Sequence, residues 1–155
     1  MRPTIMEGDL LDQSVDVIVN SWNRNIIPWW LLLPQGVSGA IKKRGGLQPF
    51  REIAKCGPIE LGGARLTGAG LLPFQGIIHV AGINMLWFAT RYSISESVIN
   101  AMDLVHRNGF KSVAFPVIGA GSGNRGLEYA LRVMTETFEG ITSKVDVLIV
   151  IFSKP

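Results

Sequence analysis

Val15-Asp-Val-Ile-Val-Asn20 is the stretch that decides the class of fold, because it is β-branched and almost continuously apolar. Three later runs share this character: Gly76–Gly82, Ser112–Val117 and Val145–Phe152. A strand that is apolar on both faces is buried on both faces, as in a sheet covered by helices on each side. These four runs therefore predict the buried strands of a helix-covered sheet.

Helical segments alternate with these strands, and two weaker strand candidates occur at Ile5–Glu7 and Ala64–Thr67. Glycine stops, a capping box formed by Ser93 with Glu96 and apolar periodicity mark the helices. The predicted helices are Val37–Arg44, Leu47–Cys56, a segment from Ser93 to Gly109, and Leu127–Phe138. Strands that alternate with helices predict one α/β domain over residues 1–155 with a mainly parallel sheet.

The composition describes a globular chain of 155 residues, 47% hydrophobic and 17% charged. The lone Cys56 excludes an internal disulfide, and the two histidines lack zinc-ligand spacing, so we expect no metal and no other cofactor. The longest apolar run, Trp29–Leu33, is far shorter than the ~20 residues of a membrane span. These features, with a polar N-terminal segment, predict a cytoplasmic protein that does not engage membranes.

The net charge of +3 suits an anionic partner only weakly. Lysine and arginine cluster only at Lys42-Lys43-Arg44, where they also suit the solvated last turn of a helix. Nucleic acid is therefore a partner that the sequence allows but does not favour.

Gly119, Gly121, Gly123 and Gly126 lie between a buried strand and a helix. Glycines allow close backbone approach, and successive free N–H groups before a helix form an anion-binding nest. The segment is neither a Walker motif nor a Rossmann fingerprint. It predicts a pyrophosphate cradle, with a tight strand-to-helix turn as the simpler alternative.

Polar residues follow the first buried strand. Asn20, Asn23 and Asn25 could bind ribose hydroxyls or could simply form turns. Ser38, near the start of the next helix, could cap that helix or help to bind an anion. Parallel strands gather such residues at their carboxyl ends, where α/β proteins bind ligands.

The sequence allows more than one role for three aromatic side chains, which are His79, Trp29 and Trp30. His79 lies inside an apolar strand, so we expect a core histidine whose nitrogens are hydrogen-bonded. Trp29 and Trp30 could form a core plug, an oligomer contact or a platform for substrate beyond the ribose.

Six segments, in order along nearly the whole chain, resemble motifs of the macro domain family. Gly8-Asp-Leu-Leu11 resembles the family's Gly-Asp-Ile-Thr, and Val15–Asn23 resembles Val-Asp-Ala-Ile-Val-Asn-Ala-Ala-Asn. Gly36-Val-Ser-Gly-Ala-Ile41 resembles Gly-Val-Asp-Gly-Ala-Ile. The remaining matches are Gly62–Thr67 with Gly-Glu-Ala-x-Ile-Thr, Ile77–Gly82 with Val-Ile-His-Thr-Val-Gly, and Phe115–Gly121 with Phe-Pro-Ala-Ile-Ser-Thr-Gly.

The resemblance implies a three-layer α/β/α sandwich with a mixed, mainly parallel six-stranded sheet and ADP-ribose in a crevice. In that arrangement Asp9 accepts from the adenine amine, Asn23 holds the distal ribose, and Phe152 packs on adenine. The implied ligand-binding residues are Asp9, Leu10, Asn20, Asn23, Gln35, Gly36, Val37, Ser38, Gly119, Ala120, Gly121, Ser122, Gly123, Asn124 and Phe152.

Three departures from the family pattern shape the expected activity. Arg24–Gln35 replaces a glycine run, Ser38 stands where MacroD-type hydrolases carry an aspartate, and Ser122–Arg125 replaces an aromatic that often covers the distal ribose.

We expect an enzyme that hydrolyses an ADP-ribosyl linkage, in acetyl-ADP-ribose or a mono-ADP-ribosylated macromolecule, by substrate-assisted water attack. Asn23 and Ser38 are its candidate catalytic residues. The alternatives are a non-catalytic ADP-ribose reader and, less favoured, a nucleic-acid-binding module. The sequence leaves open the natural substrate, the linkage and the oligomeric state.

Overall fold

The computed structural model describes residues 1–31, 36–83, 88–120 and 126–153. Six strands are present there: β1 Thr4–Gly8, β2 Val17–Trp22, β3 Ala64–Thr67, β4 Gly76–Ala81, β5 Ser112–Pro116 and β6 Asp146–Phe152. The α-helices in these ranges are α1 Gly36–Gly45, α2 Gln48–Ala54, α3 Arg91–Arg107 and α4 Leu127–Glu139. Two short 3-10 turns, Leu10–Asp12 and Trp29–Leu31, complete the list.

The strands form one mixed sheet in the order β1-β6-β5-β2-β4-β3. All neighbouring pairs are parallel except β3 with β4. The predicted strands, including the two weaker candidates, are confirmed. Because five strands run the same way, the carboxyl ends of β1, β6, β5 and β2 lie along one edge, which we call the crest.

Two apolar layers cover the sheet, one on each face. Val17 and Val19 point into the layer that contains α3 and α4. Ile18, between them, points into the layer that contains Ile41 of α1 and Phe50 of α2. This alternation explains why β2 is apolar at consecutive positions, and it confirms the predicted three-layer sandwich.

Helix α3 begins one turn before the predicted start. Thr90 is its N-cap: Thr90 Oγ1 accepts from the Ser93 amide, and Ser93 Oγ accepts from the Thr90 amide. The prediction that Ser93 itself opens the helix is therefore wrong. Ser93 is buried and its hydroxyl also contacts the Gly82 carbonyl, so it serves as the inner half of the capping pair.

No helix within the described ranges combines the length and the apolar character that crossing a bilayer requires.

Candidate functional site

The amino end of α1 lies against the carboxyl end of β2. Gly36 opens the helix with a φ of 60°, a conformation that glycine adopts without steric cost. Ser38 is the third residue of α1, so the prediction that it caps the helix is wrong. Its hydroxyl instead donates to Asn20 Oδ1 over 2.9 Å. This hydrogen bond ties the amino end of α1 to β2, and the free amides of a helix's first turn can bind an anion.

The asparagines after β2 have three different environments. Asn23 Oδ1 accepts from the Asn25 amide over 2.7 Å and closes a turn, and the two Nδ2 donors of Asn23 are not used by that turn. Asn25, at a φ of 60°, points inward: its Nδ2 donates to the carbonyls of Ile53 and Gly57. Among the described residues, Asn25 thus uses its amide donors to hold the loop in place, whereas the turn at Asn23 uses only the side-chain oxygen.

Asn20 is fully buried, and both ends of its side chain are bonded within the protein. Its Nδ2 lies 3.0 Å from His79 Nδ1, and its Oδ1 accepts from Ser38. In this structure Asn20 holds the Ser38 hydroxyl in place by a hydrogen bond and does not line the crevice. The resemblance had implied a direct contact between Asn20 and the ligand.

His79 is a fully buried histidine with both ring nitrogens bonded, as predicted. Its Nε2 lies 2.9 Å from Thr67 Oγ1, and the Phe50 ring packs edge-on at 6.0 Å between centroids. Burial in this apolar setting lowers the pKa of His79 to about 3, because the charged imidazolium would lose its hydration. His79 is therefore neutral at physiological pH.

The ends of β1 and β6 form the other side of the crest. Gly8 pairs with Phe152, which is 68% exposed and therefore does not pack in the core. Asp9 caps the first 3-10 turn, since Oδ1 accepts from the Leu11 amide, and its Oδ2 lies 3.6 Å from an Arg44 nitrogen. The Leu10 side chain is buried, so only its backbone can meet a ligand.

The loop after β5 contains Gly119 and Ala120. Gly119 has a φ of 89°, and a Cβ there would lie 2.8 Å from Ala89 Cβ, so glycine is required at this point. The other residues predicted to bind the diphosphate or ribose lie outside the described residues: Gln35, Gly121, Ser122, Gly123 and Asn124.

Lys42 has a role that the sequence did not reveal. Its ammonium lies 5.0 Å from the ring centroid of Phe50 and within 6 Å of those of Trp22 and Trp29. Desolvation by these rings lowers the pKa of Lys42. The prediction of a solvated basic helix end is therefore wrong at Lys42, whereas Arg44 remains exposed and bonds Asp12 at 2.9 Å.

The two adjacent tryptophans differ in exposure. Trp29 is half-buried and packs against Phe50, whereas Trp30 is 67% exposed. Trp29 therefore fits the core-plug alternative, and the exposed Trp30 does not.

An open surface cavity of about 690 Å³ lies at the amino ends of β5 and β6, opposite the crest, where Lys111, Lys144 and Asp146 contribute to its lining. None of the predicted site residues lines this cavity. In the part of the chain that the structure describes, no three His, Cys, Asp or Glu side chains are grouped closely enough to hold a metal.

Comparison with known proteins defines the class of protein that this fold and crest belong to. The profile of the macro domain family matches residues 19–134. The chain therefore belongs to the macro domain family.

Individual relatives agree with that assignment. A macro domain-containing protein of Caldanaerobacter subterraneus is 33% identical, over 96% of this chain and 87% of its own length. A protein of Escherichia fergusonii named O-acetyl-ADP-ribose deacetylase is 32% identical, over 77% of this chain and 68% of its own. The solved Oceanobacillus iheyensis macrodomain with ADP is 26% identical, covers 98% of this chain and 85% of its own, and superimposes with a TM-score of 0.81.

Proposed function

We propose that this macro domain binds ADP-ribose at the crest and hydrolyses an ADP-ribosyl linkage, with acetyl-ADP-ribose or a mono-ADP-ribosylated macromolecule as substrate. The observation that carries the proposal is the junction of β2 and α1. There Ser38, in the first turn of α1, bonds Asn20 of β2, and Asn23 follows the carboxyl end of the same strand. The similar macrodomain solved with ADP and the relatives named O-acetyl-ADP-ribose deacetylase support the ligand and the reaction.

In the proposed mechanism the protein positions the substrate. First-turn amides of α1 and the glycine loop after β5 hold the diphosphate, and Asn23 donates to the distal ribose. A water oxygen bonds to the acyl carbon of the acetyl ester, the ester C–O bond breaks, and the ribose oxygen takes a proton. In a macromolecular linkage the water oxygen bonds to C1″ instead, the bond between C1″ and the macromolecule breaks, and the released atom of the macromolecule takes a proton. A phosphate of the bound substrate accepts the water's proton, because Asn23 and Ser38 are not bases at neutral pH.

Calorimetry with ADP-ribose, followed by turnover of acetyl-ADP-ribose and of ADP-ribosylated protein and nucleic acid, tests the proposal. Tight binding without turnover of any of these linkages would leave a non-catalytic reader. The nucleic-acid alternative makes a separate prediction, since binding through many phosphates weakens steeply with salt, whereas one diphosphate loses far less. We place the protein in the cytoplasm, as its single cysteine suggests.

Replacing Asn23 is expected to lower turnover more than affinity. Positioning of the ribose matters most in the transition state, so Asn23→Ala should reduce kcat by about tenfold or more while the ADP-ribose Kd changes little. Steady-state kinetics and calorimetry on the same preparation measure both quantities.

Two controls isolate the amide donors of Asn23. Asn23→Asp keeps the oxygen that accepts from the Asn25 amide, so it preserves the turn while it removes the donors. Asn108→Ala removes an exposed asparagine at the far end of α3 and should change neither quantity. If Asn23→Asp turns over as fast as the wild type, Asn23 does not hold the ribose.

Asp9 is expected to select adenine. Asp9→Ala should weaken ADP-ribose binding by roughly 1–3 kcal/mol, the range for a hydrogen bond to a charged group. The inosine analogue lacks the exocyclic amine, so its affinity should be lower in the wild type and should not fall further in Asp9→Ala. Calorimetry on both ligands measures this coupling, and an equal loss for the two would mean that Asp9 acts only as the cap of its 3-10 turn.

A further inference from the structure

A continuous chain of hydrogen bonds, buried at its centre and part-buried at its two ends, runs from the sheet edge to the proposed site. Thr67 Oγ1 on β3 lies 2.9 Å from the Gly68 carbonyl oxygen and 2.9 Å from His79 Nε2 on β4. The other ring nitrogen, Nδ1, lies 3.0 Å from Asn20 Nδ2 on β2. Asn20 Oδ1 in turn lies 2.9 Å from the Ser38 hydroxyl on α1. The proposed mechanism makes no direct use of Thr67 or His79.

The direction of the chain follows from its outer end, because the Gly68 carbonyl can only accept. The single Thr67 proton is donated to that carbonyl, so Thr67 Oγ1 must accept from His79 Nε2–H. A neutral imidazole with its proton on Nε2 has a bare Nδ1, which must accept from a donor.

The rest of the chain follows from the bare His79 Nδ1. The Asn20 amide nitrogen therefore faces His79, and its Oδ1 faces Ser38. The Ser38 proton is then donated inward, to Asn20. The direction of each hydrogen bond is thus set by the preceding one, from Thr67 on β3 to Ser38 at the crest.

Burial excludes water from the centre of the chain. Asn20 and His79 have no exposed surface, and Thr67 is 7% exposed, so water cannot replace a lost partner. Desolvation keeps the His79 pKa near 3, so the ring does not gain a second proton under physiological conditions. The Phe50 ring packed on His79 closes the same region to solvent.

We propose that this chain makes Ser38 Oγ a hydrogen-bond acceptor towards the crest, with Thr67 and His79 as positioning residues that set its polarity. The inference rests on the proposed function, because it assigns a role to Ser38 within that site. With its proton directed inward, Ser38 presents lone pairs. It therefore accepts from a hydroxyl of the distal ribose or from the attacking water, and it does not bind a phosphate oxygen. This argues against the anion-binding role that the sequence allowed for Ser38.

The His79 tautomer is the most direct measurement. Nitrogen-15 NMR of the whole protein should show a protonated Nε2 and a bare Nδ1, in the absence of any ligand. Thr67→Val removes the hydroxyl that anchors the chain and should abolish the single tautomer, whereas Thr67→Ser retains it. A wild-type His79 protonated on Nδ1 would overturn the proposal whether or not the protein is an enzyme.

Kinetic measurements distinguish a positioning role of Thr67 from a role in folding alone. Thr67→Val should lower kcat for acetyl-ADP-ribose by about fivefold, the effect of one hydrogen bond, with KM little changed. Thr67→Ser should restore kcat to within about twofold. A loss of kcat shared equally by both variants, or absent from both, would contradict the positioning role.

Ligand discrimination tests Ser38 itself and uses ADP, which has the diphosphate but no distal ribose. In Ser38→Ala the ADP affinity should stay within about twofold of the wild type, while ADP-ribose affinity or turnover falls by about fivefold. Equal losses for ADP and ADP-ribose would place Ser38 on the diphosphate and overturn the proposal, as would no loss in any of these quantities. If wild-type protein binds no ADP-ribose at all, the proposed function fails, and the His79 tautomer still decides the direction of the chain.

Discussion

Lowering the pH from about 8 to about 5 is expected to reduce the free energy of unfolding by about 2 kcal/mol through His79 alone. The pKa of this histidine is about 3 in the folded protein against 6.5 in the unfolded chain. Between these values the unfolded state binds the proton and the folded state does not. The stabilising contribution of neutral His79 to the free energy of unfolding is therefore fully present above pH 6.5. It declines as the pH falls below that value.

Urea unfolding at several pH values measures how the free energy of unfolding changes with pH. Two variants show which histidine is responsible for this slope. His79→Gln should show a smaller dependence on pH over the same range, since no imidazole remains at the buried position. His106→Gln removes the other histidine, which lies at the exposed end of α3 and bonds Ser143, and should keep the wild-type slope. An unchanged slope in His79→Gln would mean that His79 gains no proton on unfolding in this range.

Gly119→Ala is expected to destabilise the protein by about 2–4 kcal/mol and to weaken ADP-ribose binding. The φ of 89° at Gly119 is unfavourable for a residue with a side chain. The added Cβ would also lie 2.8 Å from Ala89 Cβ and 3.2 Å from Ile94 Cδ1, so packed side chains must shift. The displaced backbone begins the loop after β5, where we place the diphosphate.

Thermal or urea unfolding of the variant gives the stability change. Gly140→Ala is a matched control, because Gly140 has a φ of −84° and its nearest atom to an added Cβ lies 3.5 Å away. That control should change stability by less than about 0.5 kcal/mol. Equal stability of Gly119→Ala and Gly140→Ala would show that the loop after β5 tolerates a side chain at position 119.

The site was only partly predictable because its supports are distant in sequence. Asn20 and His79 are register partners in β2 and β4, yet 59 positions separate them. Nothing local to the polar loop distinguished the buried Asn20 and the inward-bonded Asn25 from Asn23, since all three residues suit turns. The Lys42 ammonium contacts aromatic rings brought together by three separate segments, so a charge count alone described it as solvated.

The sequence by itself determined the strands, the layers and the family, because apolar runs such as Val15–Asn20 and stops such as Gly45-Gly46 act over a few neighbouring residues. Only the tertiary structure decided which polar atoms face the crest. That choice depends on the sheet order, which sets Thr67, His79 and Asn20 side by side, and on the docking of α1 over β2. Buried donors and acceptors must find partners, so the direction of each hydrogen bond, including that of Ser38, is determined by residues far along the chain.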